Sequence, residues 1–281
     1  MAIKDILLPL VGEPSAQAVI AIDKCMAVVG DLGARVIALA VEEEISLRPQ
    51  VAISPDIENA QTTAALRSVS DARGLLRAVD AAASRFAVRS DPRISRLTAP
   101  ADITLHFAES ARLTDLSLVP VKSHDSRSER IVERLIFESG RPILMCPEEG
   151  ANELSAAFDR VMVAWDHSAP VARALADALP LIEDAADIRV VTATDERTQD
   201  QAESGKALLR HLAEHEISAT FETIRIDGSS VGKVFEDYVR KNAIDLLVMG
   251  AYRHSRLNEV IWGGATKTVI GRPPCWVMMS H

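Results

Sequence analysis

The chain carries an internal repeat, and this repeat limits the folds that it can form. The matching stretches are DILLPLVGEPSA (5–16) with RVMVAWDHSAPV (160–171), and TDLSLVPVKSHDS (114–126) with IDLLVMGAYRHSR (244–256). Each half then closes with Gly-Arg-Pro and a short apolar run, beginning at Gly140 and at Gly271. We therefore predict two copies of one folding unit, with domains at residues 1–147 and 158–281.

Apolar strand-like runs alternate with helical patterns inside each copy. In the second half, Val231, Phe235 and Tyr238 recur at the spacing of one helical face, after the strand-like run at residues 218–226. Strands that read as continuous apolar runs between helices indicate a parallel sheet covered on both faces. Aromatic residues make up only 4% of the chain, so Ala, Val, Leu and Ile must build the core, as layered α/β packing allows. The predicted fold class is α/β, with five strands in each half.

Charge and cysteine content exclude several classes of protein. A net charge of -9 without a long Lys/Arg cluster argues against a nucleic-acid partner. Three widely spaced cysteines provide neither metal-ligand spacing nor a disulfide framework, so we expect a reducing cytoplasm and no metal site. The most apolar helical segment is interrupted by Asp23 and Lys24, so we expect no membrane span.

The first half differs from the second by an insertion. The polar stretch EEEISLRPQVAISPDIENAQ (42–61) follows the second strand and contains two prolines. It can be a lid or a partner-binding arm, but an ordinary loop with a helical start is the favoured interpretation. We expect the chain to form a homodimer, with residues 45–57 as a candidate contact.

A glycine-containing loop follows an apolar strand in the second half. The strand at residues 246–249 runs into Gly250, Arg253 stands three residues later, and Gly263 and Gly264 open a helix. Glycines let backbone N–H groups approach phosphate oxygens, and the N-terminus of a helix favours an anion. Such a loop lies at the carboxyl ends of the strands, where open α/β sheets bind ligands.

The strand-turn VMVAWDHSAPVARAL and the block DLLVMGAYRHSRLNEVIWGGATKTVI resemble the universal stress protein family, and the resemblance extends over nearly the whole chain, once per half. It implies two tandem Rossmann-like domains, each a five-stranded parallel sheet of strand order 3-2-1-4-5 with helices on both faces. Many members of this family bind ATP, and they commonly dimerise through the last strand. The implied ligand here is ATP or AMP, with Mg²⁺ only as a companion of the nucleotide.

The resemblance also implies a set of nucleotide-binding residues in the second half. Asp166 matches the acid beside the nucleoside, Ala193 the backbone contact to adenine, and Gly250 and Gly263 the loop glycines. Two positions depart from the family pattern, because Arg253 replaces the second glycine and Gly264 replaces the hydroxyl residue expected at the phosphate. Thr266 is the candidate to supply that hydroxyl. Arg253 can pair with phosphate, fill the pocket and abolish binding, or lie in solvent.

The first half lacks most of these residues, so we expect it not to bind a nucleotide. Pro120 stands in place of Gly250 and Val11 in place of Asp166, and no glycine pair precedes Ile131. The neighbours His254 and Ser255 are an unsuitable hydrolytic pair, because adjacent loop residues rarely face each other and no acid orients the histidine.

No nucleophile–base pair, metal triad or P-loop lysine occurs in the sequence, so we predict a protein without catalytic residues, although a weak ATPase activity stays open. Two functions remain. The first is an adenine-nucleotide-binding stress protein with a regulatory role. The second is a nucleotide-free interaction protein that uses the fold as a binding surface.

Overall fold

A computed structural model describes residues 2–43, 55–97, 100–149, 158–195, 199–251, 253–256, 259–262 and 264–281. The elements of the first half are β1 (Asp5–Leu10), α1 (Ala16–Asp31), β2 (Arg35–Glu43), α2 (Pro55–Arg85), β3 (Arg89–Leu97), α3 (Pro100–Ala111), β4 (Leu116–Val121), α4 (Ser126–Glu138) and β5 (Ile143–Pro147). The elements of the second half are β6 (Arg160–Ala164), α5 (Ala169–Ile182), β7 (Asp187–Ala193), α6 (Gln199–Glu214), β8 (Ala219–Ile224), α7 (Val231–Asn242), β9 (Leu246–Gly250), β10 (Arg253–Arg256), β11 (Glu259–Trp262), α8 (Gly264–Gly271) and β12 (Trp276–Ser280).

Ten of these strands form one continuous sheet with the order β3-β2-β1-β4-β5-β12-β9-β6-β7-β8. Within this sheet the five strands of each half are parallel to one another. Each half has the order 3-2-1-4-5 when only its five strands in this sheet are counted, from its own beginning. The α/β fold class and the strand order are therefore confirmed. The two five-stranded sheets are joined edge to edge through β5 and β12, the last strands of the two halves.

An antiparallel seam between β5 and β12 joins the halves. Met278 pairs with Leu144 at its centre, flanked by Val277 with Met145 and Met279 with Ile143. The pairs on the two sides of Met278 and Leu144 are exchanged by a rotation of 180°, so a pseudo-twofold axis passes through this central pair. All six side chains are fully buried. The seam hides two apolar edges that would otherwise expose unpaired backbone groups.

Apolar layers cover both faces of the sheet, and each layer contains residues from both halves. One face packs against α1, α2, α5 and α6, and the other packs against α3, α4, α7 and α8. Successive strand residues alternate between the layers, as Ile6, Leu7 and Leu8 do in β1. The core is therefore continuous across the seam on both sides.

Several helices begin at the carboxyl edge of the sheet with a capping side chain. Ser168 accepts a hydrogen bond from the N–H of Val171 at the start of α5, and Ser230 accepts one from the N–H of Lys233 at the start of α7. These caps fix the helix N-termini beside the ends of the strands. Among the helices that the structure describes, none is long and apolar enough to span a membrane.

Two segments add to what the sequence predicts. The loop after Gly250 contains an antiparallel hairpin of β10 and β11. In the insertion of the first half, α2 begins at Pro55, which agrees with the interpretation of a loop with a helical start. Most of the candidate dimer contact at residues 45–57 lies outside the described residues, so the homodimer and the exact domain boundaries remain predictions.

Candidate functional site

A cavity of about 650 Å³ lies at the carboxyl edge of the second half. It is bordered by the ends of β6, β7 and β9, by the turn before α7 and by the first turn of α8. Five of the seven predicted site residues line it, and these are Asp166, Ala193, Gly250, Gly264 and Thr266. The structure thus brings together residues that are up to 100 positions apart in the chain. Of the remaining two, Arg253 is described only as backbone at the start of β10, and Gly263 lies outside the described part of the chain.

Gly250 allows helix α5 to approach the end of β9 closely. A Cβ atom at this position would lie 2.6 Å from the backbone nitrogen of Val171 and 2.9 Å from the carbonyl carbon of Pro170. These contacts are with backbone, which cannot rotate away as a side chain can. Gly250 is therefore required for helix–strand packing, whether or not a ligand binds.

Gly264 has the opposite environment at the first position of α8. A Cβ atom there would have no neighbour within 4 Å, so the glycine borders open space. The first N–H groups of a helix lack partners within the helix and carry a partial positive charge. This wall of the cavity can therefore accept an anion. Thr266, in the same turn, is 1% exposed and lines the cavity.

Asp166 forms a turn at the rim of the cavity. Its carboxylate accepts a hydrogen bond from the N–H of Ser168 at 3.1 Å, and Ser168 in turn caps α5. His167 between them has a φ of 64°, in the left-handed region. The structure thus shows the turn-forming role of Asp166 directly, and the same turn holds the carboxylate beside the cavity.

Trp165 contributes a fixed wall to the cavity. Its indole N–H donates to the hydroxyl of Ser204 at 2.8 Å, and its carbonyl accepts from the hydroxyl of Thr192 at 2.8 Å. The side chain is 8% exposed, so it belongs to the core while it borders the cavity.

Ser229 and Ser230, which line the cavity, are absent from the predicted site residues. They belong to a turn in which Asp227 and Gly228 have positive φ values of 48° and 74°. The carboxylate of Asp195 holds this turn by accepting from the N–H of Asp227 at 2.7 Å. The sequence signal was the run DGSS directly before an amphipathic helix, which marks a turn and an N-cap. In a parallel sheet, every turn from a strand to the following helix lies at the carboxyl ends of the strands. The run DGSS could therefore have placed this turn beside the glycine loop.

The equivalent cavity of the first half is almost closed. It has a volume of about 50 Å³, enough for only a few water molecules. Val11 and Pro120, the residues that replace Asp166 and Gly250, line it as expected. The side chain of Leu75 from α2 also lines it and is buried. This geometry supports the prediction that the first half does not bind a nucleotide.

Glu148 adds an unfavourable charge to the closed cavity. Burial raises the pKa of this carboxyl group, Lys122 opposes the rise, and Glu149 and Asp125 add to it. Glu148 and Asp125 line the cavity, and so does Arg127, a cation that offsets part of their negative charge. The evidence against nucleotide binding by the first half is therefore the small volume of the cavity.

We expect Glu148→Gln to stabilise the protein modestly at pH 7, by less than about 1 kcal/mol. Because the folded-state pKa of Glu148 is raised, the folded protein favours the protonated carboxyl group. The stability that the protonated group contributes is present below the unfolded pKa and is lost as the pH rises through the folded pKa. Gln resembles the protonated group at every pH. The gain should therefore disappear near pH 4. Urea unfolding at both pH values measures it, with the exposed Glu109→Gln as a control. An equal or lower stability of Glu148→Gln at pH 7 would contradict the prediction.

The sequence model of the universal stress protein family matches residues 157–281. This match confirms the resemblance inferred from the two sequence blocks. A comparison with curated protein sequences finds no match.

Solved structures resemble the chain over nearly its whole length. A universal stress protein from Archaeoglobus fulgidus DSM 4304 has a TM-score of 0.65 at 14% identity, covering 98% of this chain and 97% of its own. A putative universal stress protein from Pseudomonas aeruginosa UCBPP-PA14 has a TM-score of 0.57 at 14% identity, covering 99% and 92%. The cytoplasmic domain of a prokaryotic cation chloride cotransporter has a TM-score of 0.50 at 13% identity, covering 99% and 95%. At 13–14% identity these matches show that the fold is shared, and they carry no information on a ligand of this chain.

Proposed function

We propose that this chain, whose C-terminal half belongs to the universal stress protein family, weakly binds one adenine nucleotide in that half and serves as a regulatory binding protein. One observation carries the proposal. Five site residues from four separate segments border a single cavity of about 650 Å³, whereas the equivalent cavity of the first half has only about 50 Å³. The expected stoichiometry is therefore one nucleotide per chain.

The walls of the larger cavity fit the parts of a nucleotide. Apolar side chains at Val231 and Phe235 suit a base, as ligand cavities commonly combine apolar walls with a few polar groups. Gly264 and Thr266 lie in the first turn of α8, which suits a phosphate. Asp166 at the rim is suited to accept a hydrogen bond from a ribose hydroxyl.

The proposed role is binding, because the described walls contain few groups for catalysis. Among the described lining residues, Asp166 is the one ionisable side chain. Acid–base catalysis requires positioned groups that exchange protons with the substrate, and one turn-forming carboxylate does not provide such a pair. Any Mg²⁺ would arrive with the nucleotide.

A nucleotide-free interaction protein is the second candidate function. The observation that favours it is the packing at Gly250, where contacts with Val171 and Pro170 alone require a glycine. Under this alternative, the glycine is retained for the fold and the cavity stays without a nucleotide. ATP or AMP released on denaturation of the purified protein would exclude this alternative, and titration with added nucleotide tests for weaker binding.

The nucleotide proposal predicts that Asp166→Ala weakens the binding of ATP or AMP about two- to tenfold, the effect of losing about 0.5–1.5 kcal/mol of hydrogen bonding. Isothermal titration calorimetry measures the affinity, after thermal unfolding has shown that the variant is folded. Val11→Ala changes the equivalent position of the first half and should leave the affinity unchanged. Absence of binding by the wild-type chain at millimolar nucleotide would reject the proposal in favour of the second candidate.

Arg253 is proposed to contact the phosphates. Arg253→Gly should then lower the affinity and flatten its dependence on salt, because a charged contact is lost. Arg256→Gly removes the same charge three positions further along the same strand and is the matched control. If the affinity of Arg253→Gly rises instead, the arginine blocks the loop and the phosphate contact is wrong.

A further inference from the structure

Two histidines lie four residues apart at the carboxyl end of α6. His211 is in the last turn of the helix, and His215 follows its last residue. The centroids of the two rings are 4.9 Å apart, with an interplanar angle of 78°. Both side chains are exposed, so they lie on the surface and not in the core.

The backbone beneath this pair is held in place by packing and by a helix cap. Leu208, Leu212 and Ile217 are buried around the end of the helix. The N–H of Ile217 donates to the carbonyl of Leu212 at 3.0 Å, across Glu216 with its positive φ of 61°. This is the hydrogen-bond pattern of a capped helix end with a left-handed residue. The Cα positions of the two histidines are thus fixed while their rings project into solvent.

We propose that His211 and His215 form a surface site for one divalent transition-metal ion, such as Zn²⁺, Ni²⁺ or Cu²⁺. Imidazole nitrogen suits these ions, and it binds Zn²⁺ at about 2.0–2.1 Å. Two rings bound to one ion then have their centroids about 5 Å apart at the usual coordination angles. The observed 4.9 Å fits this spacing, and rotation of exposed side chains brings one nitrogen of each ring to the ion. Water completes the coordination.

The electrostatic surroundings favour a cation at this position. The carboxyl end of a helix carries a partial negative charge, which attracts cations within the last turn. Glu214 and Glu216 flank His215 in the sequence and are exposed, and the exposed Arg210 before His211 offsets part of their charge. The site is also separate from the cavity, because α6 begins after β7 at the carboxyl edge of the sheet and ends at the opposite edge, before β8. The metal proposal therefore does not depend on nucleotide binding.

The test is calorimetric titration of the chelator-treated, nucleotide-free chain with ZnCl₂, NiCl₂ or CuSO₄. One ion should bind per chain, with Cu²⁺ tighter than Ni²⁺ and Zn²⁺. His211→Ala and His215→Ala should each lower the affinity at least tenfold, because two imidazoles hold the ion together. Affinity should also fall at acid pH, where protons compete for the imidazole nitrogens.

Two double variants test the spacing. Ala207→His/His215→Ala rebuilds a pair four residues apart, one turn earlier on the exposed face, and should restore binding. Ala213→His/His215→Ala places the rings two residues apart on different sides of the helix and should not restore it. Equal binding by these two variants, or wild-type binding no tighter than that of His211→Ala/His215→Ala, would overturn the proposal.

Discussion

Gly250→Ala is expected to lower the free energy of unfolding by about 3 kcal/mol or more, because the added atom overpacks a fully buried contact. Its Cβ would lie 2.6 Å from the backbone nitrogen of Val171 and 2.9 Å from Pro170. Relief requires α5 to move away from β9, and the contacts of α5 with the core would then weaken. Urea unfolding followed by circular dichroism measures the loss.

Gly264→Ala is the matched control for this variant. It changes the same residue type at the wall of the same cavity, but a Cβ there meets nothing within 4 Å. Its free energy of unfolding should stay within about 0.5 kcal/mol of the wild-type value. Equal effects of the two variants would show that the close approach at Gly250 is not the cause. The comparison also separates packing from ligand contacts, which a single variant at Gly250 cannot do.

Leu144→Asp should be the most damaging change at the seam. Leu144 has no exposed surface and pairs with Met278 at the centre of the β5–β12 ladder. A carboxylate there would be buried without a partner, which should cost about 4 kcal/mol or more. Because the apolar layers cross the seam, the loss should appear in the unfolding of both halves and not only of the first.

Leu113→Asp introduces the same side chain at an exposed position, since Leu113 is 84% exposed. It should change the free energy of unfolding by no more than about 0.5 kcal/mol. Chemical denaturation of the two variants, followed by fluorescence of the second-half tryptophans, shows whether the disturbance crosses the seam. A second half that unfolds at the wild-type urea concentration in Leu144→Asp would refute the coupling of the halves.

The fold could be predicted from the sequence because its signals are local and occur twice. The apolar runs, the helical face at Val231, Phe235 and Tyr238, and the repeated Gly-Arg-Pro each report their own secondary structure. The strand order came from the family resemblance, since periodicity does not say which strands pair. Contact between β5 and β12 agrees with the family's dimerisation through the last strand, but neither signal gives the register of their pairing.

The candidate site could be predicted only where a motif marked it. Asp166, Gly250 and Gly264 stand in recognisable blocks, and the structure brings them to one cavity. Ser229 and Ser230 stand in the run DGSS, which marks a turn and an N-cap, but the glycine loop gives no indication that they border the same cavity. The replacement of binding residues by Val11 and Pro120 predicted a first half that does not bind, but it gave no sign that Leu75 from α2 would line and narrow the cavity. Such packing joins segments that are distant in the sequence.

The antiparallel seam has a consequence for how the chain can change over evolutionary time. In the ten-stranded sheet, the strands of the first half run in one direction and those of the second half run in the opposite direction. The carboxyl ends of the strands, and with them the two cavities, therefore lie at opposite ends of the strands. Substitutions that fill the first cavity do not reach the wall of the second. After a duplication, one copy could lose its ligand site and be selected for packing alone, while the other kept the freedom to diverge in what it recognises.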